Sequence, residues 1–304
     1  MDEHTFEGRV AVVTGAGRGI GRAYALLLAS RGARVVVNDL GGSIDGVGAD
    51  DGPAVEAVAG IVEAGGTALA DTHDVSTVDG AEALVATAVD GFGRIDIVIN
   101  NAGVIRWAGP PDVDADNLAL HLAVHVGGSF NTARAAWPHM VGQGYGRIVM
   151  TTSTGMLGLP TNTSYATAKG GVFGLTRSLA TAGAAHGIAV NMIAPGAMTR
   201  MAGPGSDDPR MAPRLVAPMA AYLAHESCPV TGELYTAGFG RFARLFVAST
   251  PGYVASGDEP TMEDVAAHWE AINDETGYTV PADLMAWSAG FMAHLREDGA
   301  PPTR

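Results

Sequence analysis

The chain has 304 residues, a net charge of −14 and 47% hydrophobic residues. The acidic balance excludes the basic face on which nucleic-acid binding depends and disfavours anionic membrane surfaces. The apolar content excludes disorder, and no apolar run reaches the roughly 18 residues of a membrane span. Cys228 is the only cysteine, so we expect neither an internal disulfide nor a cysteine-built metal site, and no metal is predicted.

Short β-branched runs alternate with longer helical patterns over the first 195 residues. The predicted strands are Arg9–Thr14, Ala33–Asn38, Thr67–Ala70, Ile95–Asn100, Arg147–Thr152 and Ile188–Ile193. The predicted helices are Ile20–Arg31, one that begins at Pro53, Val78–Gly91, Asn117–Met140 and Ser164–Ala185. Apolar strands that alternate with helices predict an α/β fold with a doubly wound, Rossmann-like parallel sheet.

The pattern changes after Pro195. Residues 196–215 are rich in glycine, proline and methionine and are predicted to form a substrate lid. A helix is predicted over Ala217–His225 and a last strand over Glu233–Thr236. The tail 261–304 contains two helical patterns, Met262–Asn273 and Ala282–Arg296. We therefore expect a single domain with a C-terminal helical extension.

A glycine motif follows the first predicted strand and opens the first helix. It runs from Gly15 to Gly21 as G-A-G-R-G-I-G. Glycines permit a sharp turn and a close approach to a pyrophosphate, and the helix N-terminus supplies free N–H groups. This context favours a dinucleotide site.

Asp39 follows the second predicted strand. A carboxylate there would accept hydrogen bonds from the adenosine ribose and repel a 2′-phosphate, which favours NAD over NADP. Arg18 in the glycine loop leaves NADP open, because an arginine can accommodate that phosphate.

Lys169 is the only lysine among 18 basic residues, and Tyr165 stands one helical turn before it. A free tyrosine has a pKa of about 10, and one nearby ammonium lowers such a pKa by one to three units. The pair therefore predicts a tyrosine base.

Four motifs in order resemble the short-chain dehydrogenase/reductase family over roughly residues 8–200. They are T-G-A-G-R-G-I-G at 14–21, N-N-A-G at 100–103, Y-A-T-A-K at 165–169 and P-G-A-M-T at 195–199. The resemblance implies an NAD(P)-dependent enzyme that interconverts alcohols and ketones. It makes Tyr165 the acid/base, and Lys169 the group that lowers its pKa and holds the nicotinamide ribose. The implied cofactor contacts are Gly15, Arg18, Gly19, Ile20, Gly21, Asp39, Asp74, Val75, Asn101, Ala102, Gly103, Tyr165, Lys169, Pro195, Gly196 and Thr199.

Further stretches, including 38–48, 124–130 and 225–228, are similar to one branch of that family. This branch comprises the dehydrogenase units of peroxisomal multifunctional enzymes of type 2, also called 17β-hydroxysteroid dehydrogenases type 4. It implies oxidation of a (3R)-hydroxyacyl-CoA to a 3-ketoacyl-CoA with NAD, here as a stand-alone unit. A steroid alcohol is the alternative substrate, and a non-catalytic NAD-binding or scaffold protein is the alternative of another class.

Two catalytic positions stay open in the sequence. The family's serine usually lies thirteen residues before the tyrosine, at Thr152, whereas alignment from the strand places it at Ser153, which we prefer. His125 occupies a position where the family often has asparagine in a proton relay. It is either a relay residue or a histidine bonded to backbone or water.

The N-terminus lacks the apolar core of a secretory signal, and the C-terminus P-P-T-R is not a peroxisomal address. We therefore expect a cytoplasmic protein. The family resemblance implies a homodimer or homotetramer that acts on a small molecule.

Overall fold

The computed structural model describes residues 4–202, 208–255 and 259–295. Contacts divide the chain into two units, residues 1–245 and 246–304. The first unit is an eight-stranded sheet with helices on both faces, and the described residues of the second include three short α-helices.

The sheet runs in the order β3-β2-β1-β4-β5-β6-β7-β8. Its strands are β1 (Val10–Thr14), β2 (Arg34–Asn38), β3 (Thr67–Asp71), β4 (Ile97–Asn100), β5 (Gly146–Thr151), β6 (Ile188–Gly196), β7 (Leu234–Gly238) and β8 (Arg241–Leu245). The first seven are parallel, which confirms the predicted doubly wound sheet, and β8 pairs antiparallel with β7. Strand β8 lies beyond the last strand predicted from the sequence.

The helices of the first unit pack on both faces of the sheet. They are α1 (Gly19–Ser30), α2 (Gly52–Glu63), α3 (Val78–Phe92), α4 (Ala115–His121), α5 (Gly128–Gln143), α6 (Thr163–Gly183) and α7 (Ala217–Ala224). One buried apolar cluster lies between the sheet and α1, α2 and α7. A second cluster lies between the sheet and α3, α5 and α6. Because strand side chains alternate between these faces, every central strand is apolar on both sides.

The predicted helix Asn117–Met140 is interrupted. A π-helical segment, Leu122–Gly127, separates α4 from α5. Such segments are rare and often occur at functional sites. Helical periodicity does not reveal them, because the apolar spacing on either side stays close to one turn.

The second unit contains α8 (Met262–Ala267), α9 (Trp269–Asn273) and α10 (Leu284–Phe291). The single helix predicted over Met262–Asn273 is thus two helices, and the pattern to Arg296 gives a shorter one. Residues 296–304 of the predicted extension lie outside the described residues. Among the described residues, no helix is long and apolar enough to cross a membrane.

Candidate active site

The predicted site residues meet along the edge where the parallel strands end. Gly15 follows β1, Asp39 follows β2, Asn101 follows β4 and Ser153 follows β5, while Pro195 lies near the end of β6. The strand order reverses between β1 and β4. In open α/β sheets, ligands bind at the carboxyl ends of the strands at such a switch point.

The glycine loop is joined to the segment after β4. The Asn101 side-chain amide donates to the carbonyls of Thr14 and Gly15, each at 3.0 Å. The backbone N–H groups of Asn101 and Ala102 donate to the Thr14 hydroxyl, also at 3.0 Å. A Cβ on Gly15 would lie 2.8 Å from the Ala102 Cα. This close approach, together with a φ of 62°, requires glycine there.

The loop leads into an uncapped helix N-terminus. No described side chain caps α1, whose N-cap residue is Arg18. The N–H groups of Gly19, Ile20 and Gly21 therefore lack intrahelical partners. A Cβ on Gly21 would collide with the Gly15 carbonyl. The loop thus presents backbone donors and a positive helix end, which suits a pyrophosphate.

Asp39 is held beside this loop. Its carboxylate accepts hydrogen bonds from the backbone N–H groups of Gly17 and Gly41, both at 2.8 Å. The Arg18 guanidinium lies 3.9 Å from the Asp50 carboxylate. Arg18, the residue that could accommodate the 2′-phosphate of NADP, is thus paired with Asp50.

Asp74 and Val75 form the turn after β3. The Asp74 carboxylate accepts from the Ser76 N–H at 2.9 Å, and the Asn131 side chain donates to the Val75 carbonyl at 3.3 Å. These bonds anchor the turn to α5. The turn lies at the β3 end of the same sheet edge.

Tyr165 and Lys169 lie in the first two turns of α6. The Asn162 side chain accepts from the Tyr165 N–H at 3.1 Å and caps the helix. The buried Lys169 ammonium donates to the Thr151 carbonyl at 2.7 Å and lies 5.6 Å from the centre of the Tyr165 ring. The predicted pair is therefore together, with the lysine fixed to the end of β5.

The electrostatics of the pair differ from the expected tyrosine base. Burial raises the pKa of Tyr165 above its usual value, and a hydrogen bond with the Ser153 side chain lowers it by a smaller amount. Burial also lowers the pKa of Lys169 to about 7. A lysine with that pKa carries only part of its charge at neutral pH, so it cannot by itself make the phenol a base.

The two candidate hydroxyls have different partners. The Thr152 hydroxyl is buried and donates to the Lys169 carbonyl at 2.7 Å. The Ser153 hydroxyl accepts from the Gly155 N–H at 3.0 Å, and the Ser153 side chain lowers the pKa of Tyr165. A Cβ on Gly155 would lie 3.3 Å from both the Ser153 Oγ and the Tyr165 ring. The geometry thus places the hydroxyl of Ser153 beside the Tyr165 ring, whereas the Thr152 hydroxyl is bonded to backbone.

His125 lies in the π-helical segment against Tyr165. The two ring centres are 5.4 Å apart, in an edge-to-face arrangement. The His125 Nε2 donates to the Val104 carbonyl at 2.8 Å, and its Nδ1 is buried with no partner among the described residues. A Cβ on Gly103 would lie 3.1 Å from this Nδ1. Burial lowers the pKa of His125 well below its usual value, so the ring is neutral with a free acceptor.

A buried polar network near Tyr165, not predicted from the sequence, connects α4, α6 and the loop after β4. The side-chain amides of Asn117 and Asn162 both donate to the Arg106 carbonyl, at 3.0 and 3.3 Å. The Arg106 N–H donates to the His121 Nε2 at 3.3 Å. Asn162 thus caps the helix of Tyr165 and ties it to the loop after β4. Its place three residues before Tyr165 is an N-cap signature that could have revealed it.

The start of the predicted lid lies over the glycine loop. The backbone pairs Pro195 with Ala237 and Gly196 with Gly238 at the ends of β6 and β7. A Cβ on Gly19 would lie 3.7 Å from the Thr199 methyl group. Residues 203–207 of the lid lie outside the described residues.

We expect Lys169 to titrate with a midpoint near pH 7 in the protein without cofactor, because burial disfavours its charged form. As the only lysine, it gives a single Cε resonance after labelling with ¹³C-lysine. The unfolded chain binds the proton more tightly, so the lysine's contribution to stability increases as pH rises from about 7 towards 10.5. A midpoint above 9.5 would contradict this burial effect.

The chain is similar to known proteins in sequence and in structure. A family model described as short chain dehydrogenase matches residues 9–209. The chain is 41% identical over 308 residues to peroxisomal multifunctional enzyme type 2 of Mus musculus. The match covers 98% of this chain and 42% of the mouse protein.

Two solved structures are also similar. The crystal structure of a short chain dehydrogenase from Mycobacterium avium matches with a TM-score of 0.79 and 35% identity, covering 89% of this chain and 97% of that one. Full-length peroxisomal multifunctional enzyme type 2 from Drosophila melanogaster matches with a TM-score of 0.80 and 34% identity, covering 96% of this chain. The chain spans half of that protein. The predicted resemblance is confirmed.

Proposed function

Because the chain belongs to the short-chain dehydrogenase family and is an oxidoreductase acting on CH–OH groups, we propose that it oxidises a (3R)-hydroxyacyl-CoA to the 3-ketoacyl-CoA with NAD. The C3 carbon loses a hydride and its hydroxyl loses a proton, so the products are the ketone, NADH and one proton. The multifunctional relatives support this substrate class.

The observation that carries the proposal is the cluster of Ser153, Tyr165 and Lys169 at the end of β5. The Ser153 side chain lies beside the Tyr165 ring and lowers the pKa of the phenol, and the Lys169 ammonium lies 5.6 Å from the centre of that ring. Two hydroxyls side by side can hold one substrate oxygen, with Ser153 donating and Tyr165 accepting its proton.

The donors around the glycine loop fit a dinucleotide. The uncapped N–H groups of α1 would hold the pyrophosphate, and Asp39 would face the adenosine ribose. The segment Asn101–Gly103, together with Tyr165 and Lys169, would line the nicotinamide end. When bound, NAD supplies the hydride acceptor and a positive charge beside the reacting hydroxyl.

This positive charge bears on the raised pKa of Tyr165. Desolvation penalises a phenolate that has no nearby cation. Because Lys169 has a pKa of about 7, it is only partly protonated at neutral pH and provides only part of a positive charge. A cationic group beside the ring would lower the pKa of Tyr165 and raise the efficiency of proton removal near neutral pH.

His125 acts in this scheme as a neutral acceptor. Its Nε2–H is bonded to the Val104 carbonyl, so only Nδ1 can accept a hydrogen bond. With a pKa held low by burial, Nδ1 would orient a donor near Lys169 and would not store the proton.

We expect NAD to be preferred over NADP, because a 2′-phosphate would meet Asp39, and because Arg18 is paired with Asp50. The check is kcat/KM with each cofactor for the wild type and for Asp39→Ser. The preference for NAD should fall about tenfold or more in the variant, since a hydrogen bond to a charged group is worth about 1.5–3 kcal/mol.

Asp50→Asn is the matched control, since it removes an acid from the same loop but frees Arg18. It should shift the preference towards NADP by less than Asp39→Ser. A wild type that uses NADP better than NAD would contradict the role of Asp39.

Exposed arginines favour a CoA ester over a steroid. Arg200, Arg214 and Arg241 are exposed and have no ion pair with a described residue, so they remain available to phosphates. By contrast, Arg210 pairs with Asp208 and Arg244 pairs with Glu233.

The proposal is tested by NADH formation at 340 nm with a (3R)-hydroxyacyl-CoA, its (3S) enantiomer, a 17β-hydroxysteroid and no substrate. We expect turnover with the (3R) thioester well above the other three. Preference for the steroid would replace the substrate class, and NADH formation with none of them, while the cofactor binds, would favour a non-catalytic NAD-binding protein. A cytoplasmic location and a homodimer or homotetramer stay predictions.

A further inference from the structure

A bulky residue occupies a backbone conformation that glycine and asparagine usually take. Phe239 and Gly240 form the two-residue connection between β7 and β8, with φ values of 55° and 77°. Positive φ at both positions is typical of a type I′ hairpin turn, where Asn-Gly is favoured. A phenylalanine there is strained, and such strain persists where the surroundings or a function retain it.

Burial of the side chain does not explain why a phenylalanine occupies position 239. The Phe239 side chain is 58% exposed. Its ring lies over Gly196, where a Cβ would come within 2.9 Å of the ring. The ring therefore rests on bare backbone at the end of β6 and leaves more than half of its surface open.

The register places this ring at the same end of the sheet as the proposed catalytic groups. Thr151 of β5 pairs with Ile193 of β6, so Ser153 and Gly196 both lie just beyond that pair on neighbouring strands. Neighbouring strands lie about 4.8 Å apart. The Phe239 ring thus lies at the same carboxyl edge, over the strand that neighbours the strand leading to Ser153.

Alternation along β6 also gives the side of the sheet. Met192 and Ala194 belong to the apolar cluster under α6. Gly196 is the next residue in that alternation, so its open face, covered by Phe239, is the face on which α6 carries Tyr165.

We propose that Phe239 is a specificity-determining residue whose exposed ring receives the hydrocarbon chain of the substrate beyond its fourth carbon. The inference rests on the proposed function and extends it, because it assigns the hydrocarbon chain of the acyl group to a residue outside the family motifs. It explains why a strained, exposed aromatic side chain occupies a turn that favours asparagine.

The test replaces Phe239 with asparagine, which fits the turn. We expect the ratio of kcat/KM for a sixteen-carbon over a four-carbon (3R)-hydroxyacyl-CoA to fall about tenfold. Each buried methylene changes the ratio about fourfold, so this fall corresponds to lost contact with about two methylenes. The melting temperature should not fall, because the substitution relieves strain and loses little burial. Phe242→Asn is the control: that residue is also an exposed phenylalanine of the hairpin, paired with Ala237, and the ratio should stay at the wild-type value.

Three results would overturn the inference: an unchanged ratio in Phe239→Asn, an equal loss on both substrates with a lower melting temperature, or a changed oligomeric state at an unchanged ratio. A changed oligomeric state at an unchanged ratio would indicate that the Phe239 ring contacts a second copy of the chain. Inactivity of the wild type on both thioesters would contradict the proposed substrate class instead. The same ratio, measured on 2-alkanols of four and ten carbons, then tests Phe239 separately.

Discussion

Replacing Tyr165 with phenylalanine is expected to lower kcat for alcohol oxidation by a factor of about 10² to 10⁴, the range that a positioned acid or base contributes. The ring would keep its edge-to-face contact with His125 and its place above Lys169, so packing should change little. Only the phenolic hydroxyl is lost.

The measurement is kcat at saturating substrate, with NADH fluorescence and the melting temperature as controls. Both controls should stay near the wild type, because the glycine loop and the cap of α6 are untouched. Turnover within a few-fold of the wild type would show that another group removes the proton.

The second large effect separates the two neighbouring hydroxyls. Ser153→Ala is expected to lower kcat by about 10² to 10³, because it removes a donor aimed at the substrate oxygen. Thr152→Ala removes a buried bond to the Lys169 carbonyl and should cost about 0.5–1.5 kcal/mol of stability, with a much smaller loss of kcat.

Thr152→Ser is the matched variant, since it keeps the hydroxyl and removes only the methyl group. Comparing kcat and the free energy of unfolding for the three variants distinguishes catalysis from packing. If Thr152→Ala were the inactive variant and Ser153→Ala turned over normally, the family's thirteen-residue spacing would have been the better guide.

Local signals explain why most of the sheet was predictable. The run from β1 through the glycine motif into α1 combines β-branched residues, glycines and helical periodicity within about twenty residues. Strand β8 was missed because its signal depends on the turn before it, and phenylalanine at 239 is not a residue that predicts a type I′ turn. The π-helical segment left no mark in the spacing of apolar residues.

The sequence motifs identified which residues lie at the site but not which partners their side chains have. Tyr165 and Lys169 lie together on α6, and the residues after β1, β2 and β4 are joined by hydrogen bonds at one sheet edge, while their roles stay predictions. The partners of Thr152 and Ser153 depend on which hydroxyl points towards α6, and that is a property of packing at the end of β5. Similarly, the raised pKa of Tyr165 results from burial by several elements, which residue spacing does not contain.

The proposed reaction is direct hydride transfer from the substrate carbon to NAD with Tyr165 as the base. It is tested most directly with a (3R)-hydroxyacyl-CoA that carries deuterium at C3, followed by mass spectrometry of the nicotinamide product. The account predicts one deuterium in every NADH formed by the wild type, and a rate lowered at least a hundredfold in Tyr165→Phe. Unlabelled NADH, or no NADH from a protein that binds the cofactor, would contradict it.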